Sequence, residues 1–183
     1  MRKNVGPNRR REDDVSDAAR IVFEPLHDDV TPPQRETVGA AGYDLRAYLS
    51  ARSVTVIRAE SGEQAAVEVA NGRLELEPGD VALVPTGFKA RVPDGYEAQV
   101  RIRSSMAFKR GLILPNAPGT IDADYPDEWL IMIKNDSPRR CSIEHGERVA
   151  QVVLHRHATL PWVSGTVGRT TDRTGGLGST GSA

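Results

Sequence analysis

The sequence predicts an all-β domain, a jelly-roll-like barrel or sandwich. Three observations carry that expectation. Apolar and polar residues alternate over short segments, turn residues separate those segments, and helical periodicity is nearly absent. Leu74-Glu75-Leu76-Glu77 alternates and is closed by Pro78-Gly79-Asp80. Val81-Ala82-Leu83-Val84 is a short apolar run closed by Pro85-Thr86-Gly87. Phe88 to Val92 follows, closed by Pro93-Asp94-Gly95. Ala98, Val100 and Ile102 alternate with Gln99, Arg101 and Arg103, the pattern of a half-buried strand. Leu112 to Leu114, Trp129 to Ile133 and Val149 to Leu154 read as further strands. Upstream, Val54-Thr55-Val56 and Val67-Glu68-Val69 read as two strands joined by a polar loop, Glu60 to Gln64. The best helical signal is a turn around Ser105 to Lys109, and no internal repeat is visible.

A chain of 183 residues suits one domain with a substantial core. Apolar content of 38% with 5% aromatics calls for a core of Val, Ile, Leu and Ala. Residues 1–20 are charged and poor in large apolar residues, and are expected to be disordered. The β domain is expected over 21–167, with an extended surface hairpin at about 50–73, and a flexible glycine-rich arm over 168–183. Lys and Arg number 24 against 25 Asp and Glu, which argues against nucleic acid or an anionic membrane as the main partner. The basic run Arg9-Arg10-Arg11 is offset by Glu12-Asp13-Asp14. The single cysteine, Cys141, excludes an internal disulfide, fits a cytoplasmic location and is expected to be a small buried residue. No apolar run approaches a membrane span, and no signal-peptide pattern opens the chain.

Five segments break the strand pattern with charge, hydroxyls and glycine. They are Ala41-Gly42-Tyr43-Asp44-Leu45, Arg103-Ser104-Ser105-Met106-Ala107 leading to Gly111, Asn116 through Tyr125, Gly146 through Gln151, and the arm from Arg173 to Ala183. The arm interleaves glycine with hydroxyls behind an arginine. Such a segment buries little, but its N–H groups, Ser179, Thr180 and the Arg173 fork suit a polyanion.

All five, in this order, closely resemble the homotrimeric dUTPase family, over about Ile21 to Gly181. The resemblance implies a β jelly roll that trimerises, with three sites each built from three subunits. One subunit gives the first, second and fourth motifs, a neighbour gives the third, and another lends its arm. It implies hydrolysis of dUTP to dUMP and pyrophosphate, with Mg²⁺ held by the triphosphate and water rather than by a carboxylate cage. Asp122 matches the base that polarises the attacking water. Asn116 matches a group reading the uracil edge, and Tyr125 the ring under the deoxyribose that excludes a 2′-hydroxyl. Arg103, Ser104, Ser105 and Gln151 match phosphate-side groups. Arg173, Leu177, Gly178, Ser179 and Thr180 match the arm's contacts. Asp44 matches the first-motif carboxylate, which either organises water and hydrogen bonds or supports the site structurally. Arg148 is a phosphate contact or an inter-subunit ion pair.

The chain departs from the family pattern at several points. Asp127 stands where a glycine is usual, and Tyr125-Pro126-Asp127-Glu128 suits a type I turn. Leu177 stands where an aromatic usually stacks on uracil. The Arg173–Leu177 spacing is one residue short, with Arg169 as an alternative cation. The 50–73 segment is longer than in compact members. Two rivals share the fold: a dCTP deaminase, alone or bifunctional, for which Glu128 is the candidate carboxylate, and a non-catalytic dUTP-binding regulator. His155 and His157 share a strand face, but they lack a third ligand for a metal.

Overall fold

A computed structural model describes residues 20–172. The described chain contains twelve strands and one helix. In order these are β1 (Val22–Pro25), β2 (Tyr43–Arg46), β3 (Ser53–Ile57), β4 (Gln64–Glu68), β5 (Arg73–Leu76), β6 (Val81–Arg91) and β7 (Tyr96–Ile102). After them come α1 (Ser104–Arg110), β8 (Leu112–Ile113), β9 (Gly119–Ile121), β10 (Glu128–Asn135), β11 (Cys141–Glu144) and β12 (Arg148–Arg156). A large sheet runs β4-β3-β6-β10-β8, with β1 also paired to β6. A second sheet runs β2-β12-β7-β9, and β5 and β11 form a separate ribbon. The pairings are antiparallel. One aliphatic core takes residues from all three sheets, among them Val56, Ile131, Leu45, Val152, Leu76 and Ile143. Among the described residues, no helix is long and apolar enough to cross a membrane.

The largest difference from the sequence reading is β6. Pro85-Thr86-Gly87 reads as a terminator, yet the strand continues through it for 11 residues. The irregular backbone survives because its polar groups are satisfied from outside the ladder. Gly87, at φ 78°, donates its N–H to Glu128 Oε1 at 2.7 Å. The carbonyls of Pro85 and Gly87 accept from the N–H groups of Tyr48 and Leu26, and Thr86 Oγ1 donates to the Trp129 carbonyl. A register shift between Glu128 and Leu130 in β10 faces the same point. Three further differences are local. Strand β4 lies earlier than Val67–Val69. The hydrogen-bonded turn near Asp127 is Asp122–Tyr125 instead, with Asp127 only a bend. Cys141 is half-buried rather than buried, its Sγ donating to the Arg110 carbonyl at 3.3 Å.

Two buried polar side chains tie the sheets together. Asn135 Nδ2 donates to the carbonyls of Leu76 and Arg139, while its oxygen accepts from the Ser137 N–H and hydroxyl. Asp80, only 2% exposed, accepts from Arg58 and from the N–H groups of Ala59 and Glu77. Burial pushes the Asp80 carboxyl up, but the Ala59 N–H, the Arg58 guanidinium and the Glu77 N–H outweigh it and hold it below the usual range. A depressed carboxyl contributes stability that is complete above its unfolded value of about 4 and fades as pH falls through the folded value. Asp80→Asn replaces one acceptor oxygen by a donor facing donors. It is expected to cost about 2–4 kcal/mol at neutral pH. Its deficit should shrink as the buffer is taken below about pH 4, because protonation removes the same interaction from the parent protein. Urea denaturation across a pH series reads both effects.

Candidate functional site

Strand β12 lies between β2 and β7, and that position gathers the first, second and fourth motifs. Gln151 is opposite Asp44 on one side and Arg101 on the other. The Arg103 N–H bonds the Val149 carbonyl at 3.3 Å, and Arg103 Nη1 bonds the Arg148 carbonyl at 3.2 Å. Asp44 then sits between two guanidiniums: Arg103 Nε is 3.4 Å from Oδ1, and Arg148 Nη1 is 3.1 Å from Oδ2. Its side chain is 13% exposed, so these partners compensate a carboxylate largely withdrawn from water. Gly42 lies close against Gln151, since a Cβ there would come within 2.3 Å of the side-chain amide oxygen. Ser104 and Ser105 follow Arg103 and are exposed at the start of α1. The helix closes through Gly111, at φ 66°, whose N–H reaches Ala107 and Met106.

Arg148 forms its ion pairs within the chain, to Asp44 and, at 2.5 Å, to Glu36. Sequence reasoning missed Glu36 because it lies in the irregular connection between β1 and β2, where no periodicity speaks. The Arg148 hydrogen bond and charge, with lesser help from Arg46 and Arg103, hold the Glu36 carboxyl below its usual range against the opposing effect of burial. A cavity of about 210 Å³ under Asp29 to Glu36 reaches Asp44 from behind, lined also by Tyr48 and His145. It includes none of Ser104, Gln151 or Asp122.

The third motif is elsewhere. Asn116 packs under Gly119, where a Cβ would come within 3.3 Å of its Nδ2. Asp122 is exposed just after β9, and Tyr125, 37% exposed, donates its hydroxyl to the Glu128 carbonyl at 3.3 Å. Strand β9 pairs with β7 so that Gly119 faces Val100 and Ile121 faces Ala98. Asp122 is therefore beside the start of β7, whereas Arg103 follows its end. The six residues between those rows span roughly 20 Å. One chain brings Asp44, Arg103, Arg148 and Gln151 together and holds Asp122, with Tyr125 behind it, apart from them.

Glu128 is committed to structure. Arg52 grips it in bidentate fashion at 3.0 and 2.8 Å, and the Gly87 N–H takes Oε1 as well. Of the histidines, His155 Nε2 contacts Arg101 Nη2 at 2.9 Å. Among the described residues, no three His, Cys, Asp or Glu side chains converge as metal ligands. Arg169 is exposed. Arg173, Leu177, Gly178, Ser179 and Thr180 lie outside the described residues, as do residues 1–19.

An all-β protein with guanidiniums, hydroxyls and an amide gathered at one sheet end is suited to a phosphorylated ligand. Comparison with known proteins narrows that class. The dUTPase family model matches residues 52–181. The deoxyuridine 5′-triphosphate nucleotidohydrolase of Desulfotalea psychrophila is 41% identical over 150 residues, 81% of this chain and 86% of that protein. The one from Caulobacter vibrioides is 38% identical over 154 residues, 84% and 87% of the two chains. The crystal structure of dUTPase from Streptococcus mutans superposes with a TM-score of 0.57 at 32% identity, covering 76% of this chain and 98% of that one. The Staphylococcus bacteriophage 80alpha dUTPase with dUPNHPP shares the fold at a TM-score of 0.67 and 24% identity, covering 88% and 98%. The chain belongs to the dUTPase family.

Gly42→Ala tests the close approach of the first and fourth motifs. The added Cβ meets the far end of a flexible side chain, so the Gln151 amide can swing away at modest cost to packing. The expected result is a melting temperature lowered by about 2–4 °C, for a cost of ~1 kcal/mol, since Gly42 is buried and the approach to the Gln151 Cβ remains after its amide has moved. Nucleotide hydrolysis should fall because the Gln151 amide is displaced from its place beside Asp44. A much larger loss of stability, in step with activity, would mean that Gly42 serves folding instead.

Proposed function

We propose that this protein hydrolyses dUTP to dUMP and pyrophosphate, in homotrimers whose sites combine residues from several subunits. The observation that carries this reading is the separation of the family's motifs along β7. Phosphate-side groups lie past its end and the water-activating Asp122 lies beside its start, so a complete site needs a second copy. The apolar side chains of Leu160, Trp162, Val163 and Val167 support assembly. All four are largely exposed in the extended segment after β12, a surface that a neighbouring subunit would cover.

In this reading Asp122 orients and deprotonates the water that attacks the α-phosphate. Arg103, Ser104, Ser105 and Gln151 hold phosphate oxygens, Asn116 reads the uracil edge, and Tyr125 blocks a 2′-hydroxyl. Asp44 keeps the two guanidiniums in place. Both of its oxygens are engaged by arginine, and no carboxylate cage forms among the described residues. That donor set fits a Mg²⁺ that enters with the triphosphate on phosphate oxygens and water. When bound, the ion neutralises charge on the phosphate chain. Arg173, Ser179 and Thr180 of the arm would add charge-assisted bonds to the phosphates, and Leu177 would cover the base. The single cysteine fits a cytoplasmic enzyme. The dCTP deaminase reading is not favoured, because Glu128 is tied to Arg52 and Gly87. A silent dUTP-binding regulator would not need Asp122.

Pyrophosphate release from dUTP beside dCTP, dTTP and UTP, with ammonia release from dCTP in parallel, tests the reaction. Light scattering on the same samples tests the trimer. An inactive wild-type protein, or an active monomer at assay concentration, overturns the proposal. Asp122→Asn is expected to fold, assemble and bind dUTP while losing about 10²–10⁴ in kcat. Near-parental turnover by this variant would remove Asp122 as the base. Deleting residues 168–183 should leave the assembly and its melting temperature unchanged but lower kcat/KM steeply, by removing a segment that closes over the phosphates. Full activity in the truncated protein would reduce the arm to a linker.

A further inference from the structure

Arg148 is held by two carboxylates at once, and the two are not equivalent. Asp44 is carried on β2, in register with Gln151, with a side chain 13% exposed. Glu36 projects from the connection between β1 and β2, and its side chain is 53% exposed. It reaches Arg148 Nη1 through Oε1 alone, at 2.5 Å, on the same nitrogen that serves Asp44. The loop around it keeps its shape by other means. Arg35 Nη1 turns back to the carbonyls of Val38 and Ala40, and the Asp44 N–H bonds the Gln34 carbonyl at 2.9 Å.

A phosphate chain carries more charge than a carboxylate and offers several oxygens to a guanidinium fork. It can therefore replace an exposed, single-oxygen partner more readily than a carboxylate fixed in a strand. We propose that Glu36 is a built-in competitor for Arg148, yielding to a phosphate chain and so lowering how tightly the site holds phosphorylated ligands. The proposal rests on the dUTP reading for the identity of the ligand. It makes Glu36 a positioning residue that acts through Arg148, with its effect on KM rather than on the chemical step. Its use is to keep phosphate affinity moderate, so that a phosphorylated product is held less tightly than a permanently free Arg148 would hold it.

Glu36→Gln keeps the side chain's shape and removes its charge. Binding of inorganic tripolyphosphate and of pyrophosphate is measured by calorimetry for the full-length parent and variant. KM and kcat for dUTP are measured beside them. Both anions are expected to bind the variant about three- to fivefold more tightly, the scale of a half-exposed ion pair. KM should fall by a similar factor, with kcat moving less. The difference should narrow as salt is raised. Glu24→Gln, an exposed change on β1, controls for net charge and should move none of these values. Unchanged or weaker anion binding in Glu36→Gln overturns the inference, as does a raised KM with a lowered melting temperature, the signature of a loop anchor. Because tripolyphosphate binding is read without turnover, a parent that binds it but does not cleave dUTP defeats the dUTP reading alone. If neither protein binds tripolyphosphate, the inference fails.

Discussion

Everything in the site depends on the register of β7 between β12 and β9. Antiparallel pairing on both sides fixes which rows face each other, and a slip of one residue would turn every side chain to the opposite face. With Val152 opposite Val100, and Val100 opposite Gly119, one face of this sheet is closed and apolar. The same rows place Gln151 beside Arg101 on the other face. They also set the distance between the phosphate-side residues and the third motif. The distance between Asp122 and Arg103 within one chain is thus a consequence of strand pairing. A more flexible loop could not change it, because β9 is hydrogen-bonded along Ala98 to Val100.

Electrostatics at the strand ends follow from that placement. Packing Asp44, Arg103 and Arg148 at one corner would be costly if any charge stood alone. Asp44 bridges the two guanidiniums, so each arginine has a fixed partner and retains further N–H groups to offer a ligand. Arg110 and Glu147, paired at 2.7 Å, brace the start of β12 from the side of α1. The corner is a preorganised cationic surface whose repulsion is already offset by the fold.

Much of the fold was legible in the sequence, because half-buried antiparallel strands alternate visibly. Strands β5, β7, β10 and β12 announce themselves through Leu74/Leu76, Ala98/Val100, Trp129/Ile131/Ile133 and Val149 to Leu154. The helix at Ser104–Arg110 was visible as a turn around Ser105. Strands β1, β2, β9 and β11 were not, because three or four residues carry too few alternations to stand out. The continuity of β6 was hidden for another reason: Pro85 and Gly87 are breakers locally, and the groups that rescue them, Tyr48, Leu26 and Glu128, lie far away in sequence. The site residues were legible only as motifs. Their order pointed to a family, but neither the Arg148–Glu36 pair nor the separation along β7 is written in any local pattern.

Glu128 shows why residue type alone underdetermines chemistry. A glutamate opening the strand after the third motif is placed, by sequence, where a base in a related reaction would stand. What decides its role is which groups occupy its oxygens. Arg52 arrives from the start of β3 and presents both prongs of its fork, while the Gly87 N–H is released toward Glu128 by the irregularity in β6. A carboxylate with a bidentate arginine and a backbone donor has both oxygens engaged by structural partners, so neither is left to meet a substrate. Those bonds also supply the partner that the irregular strand needs. The feature that makes β6 continuous is therefore the one that commits both Glu128 oxygens to structure, whereas Asp122, just beyond β9, is exposed to solvent.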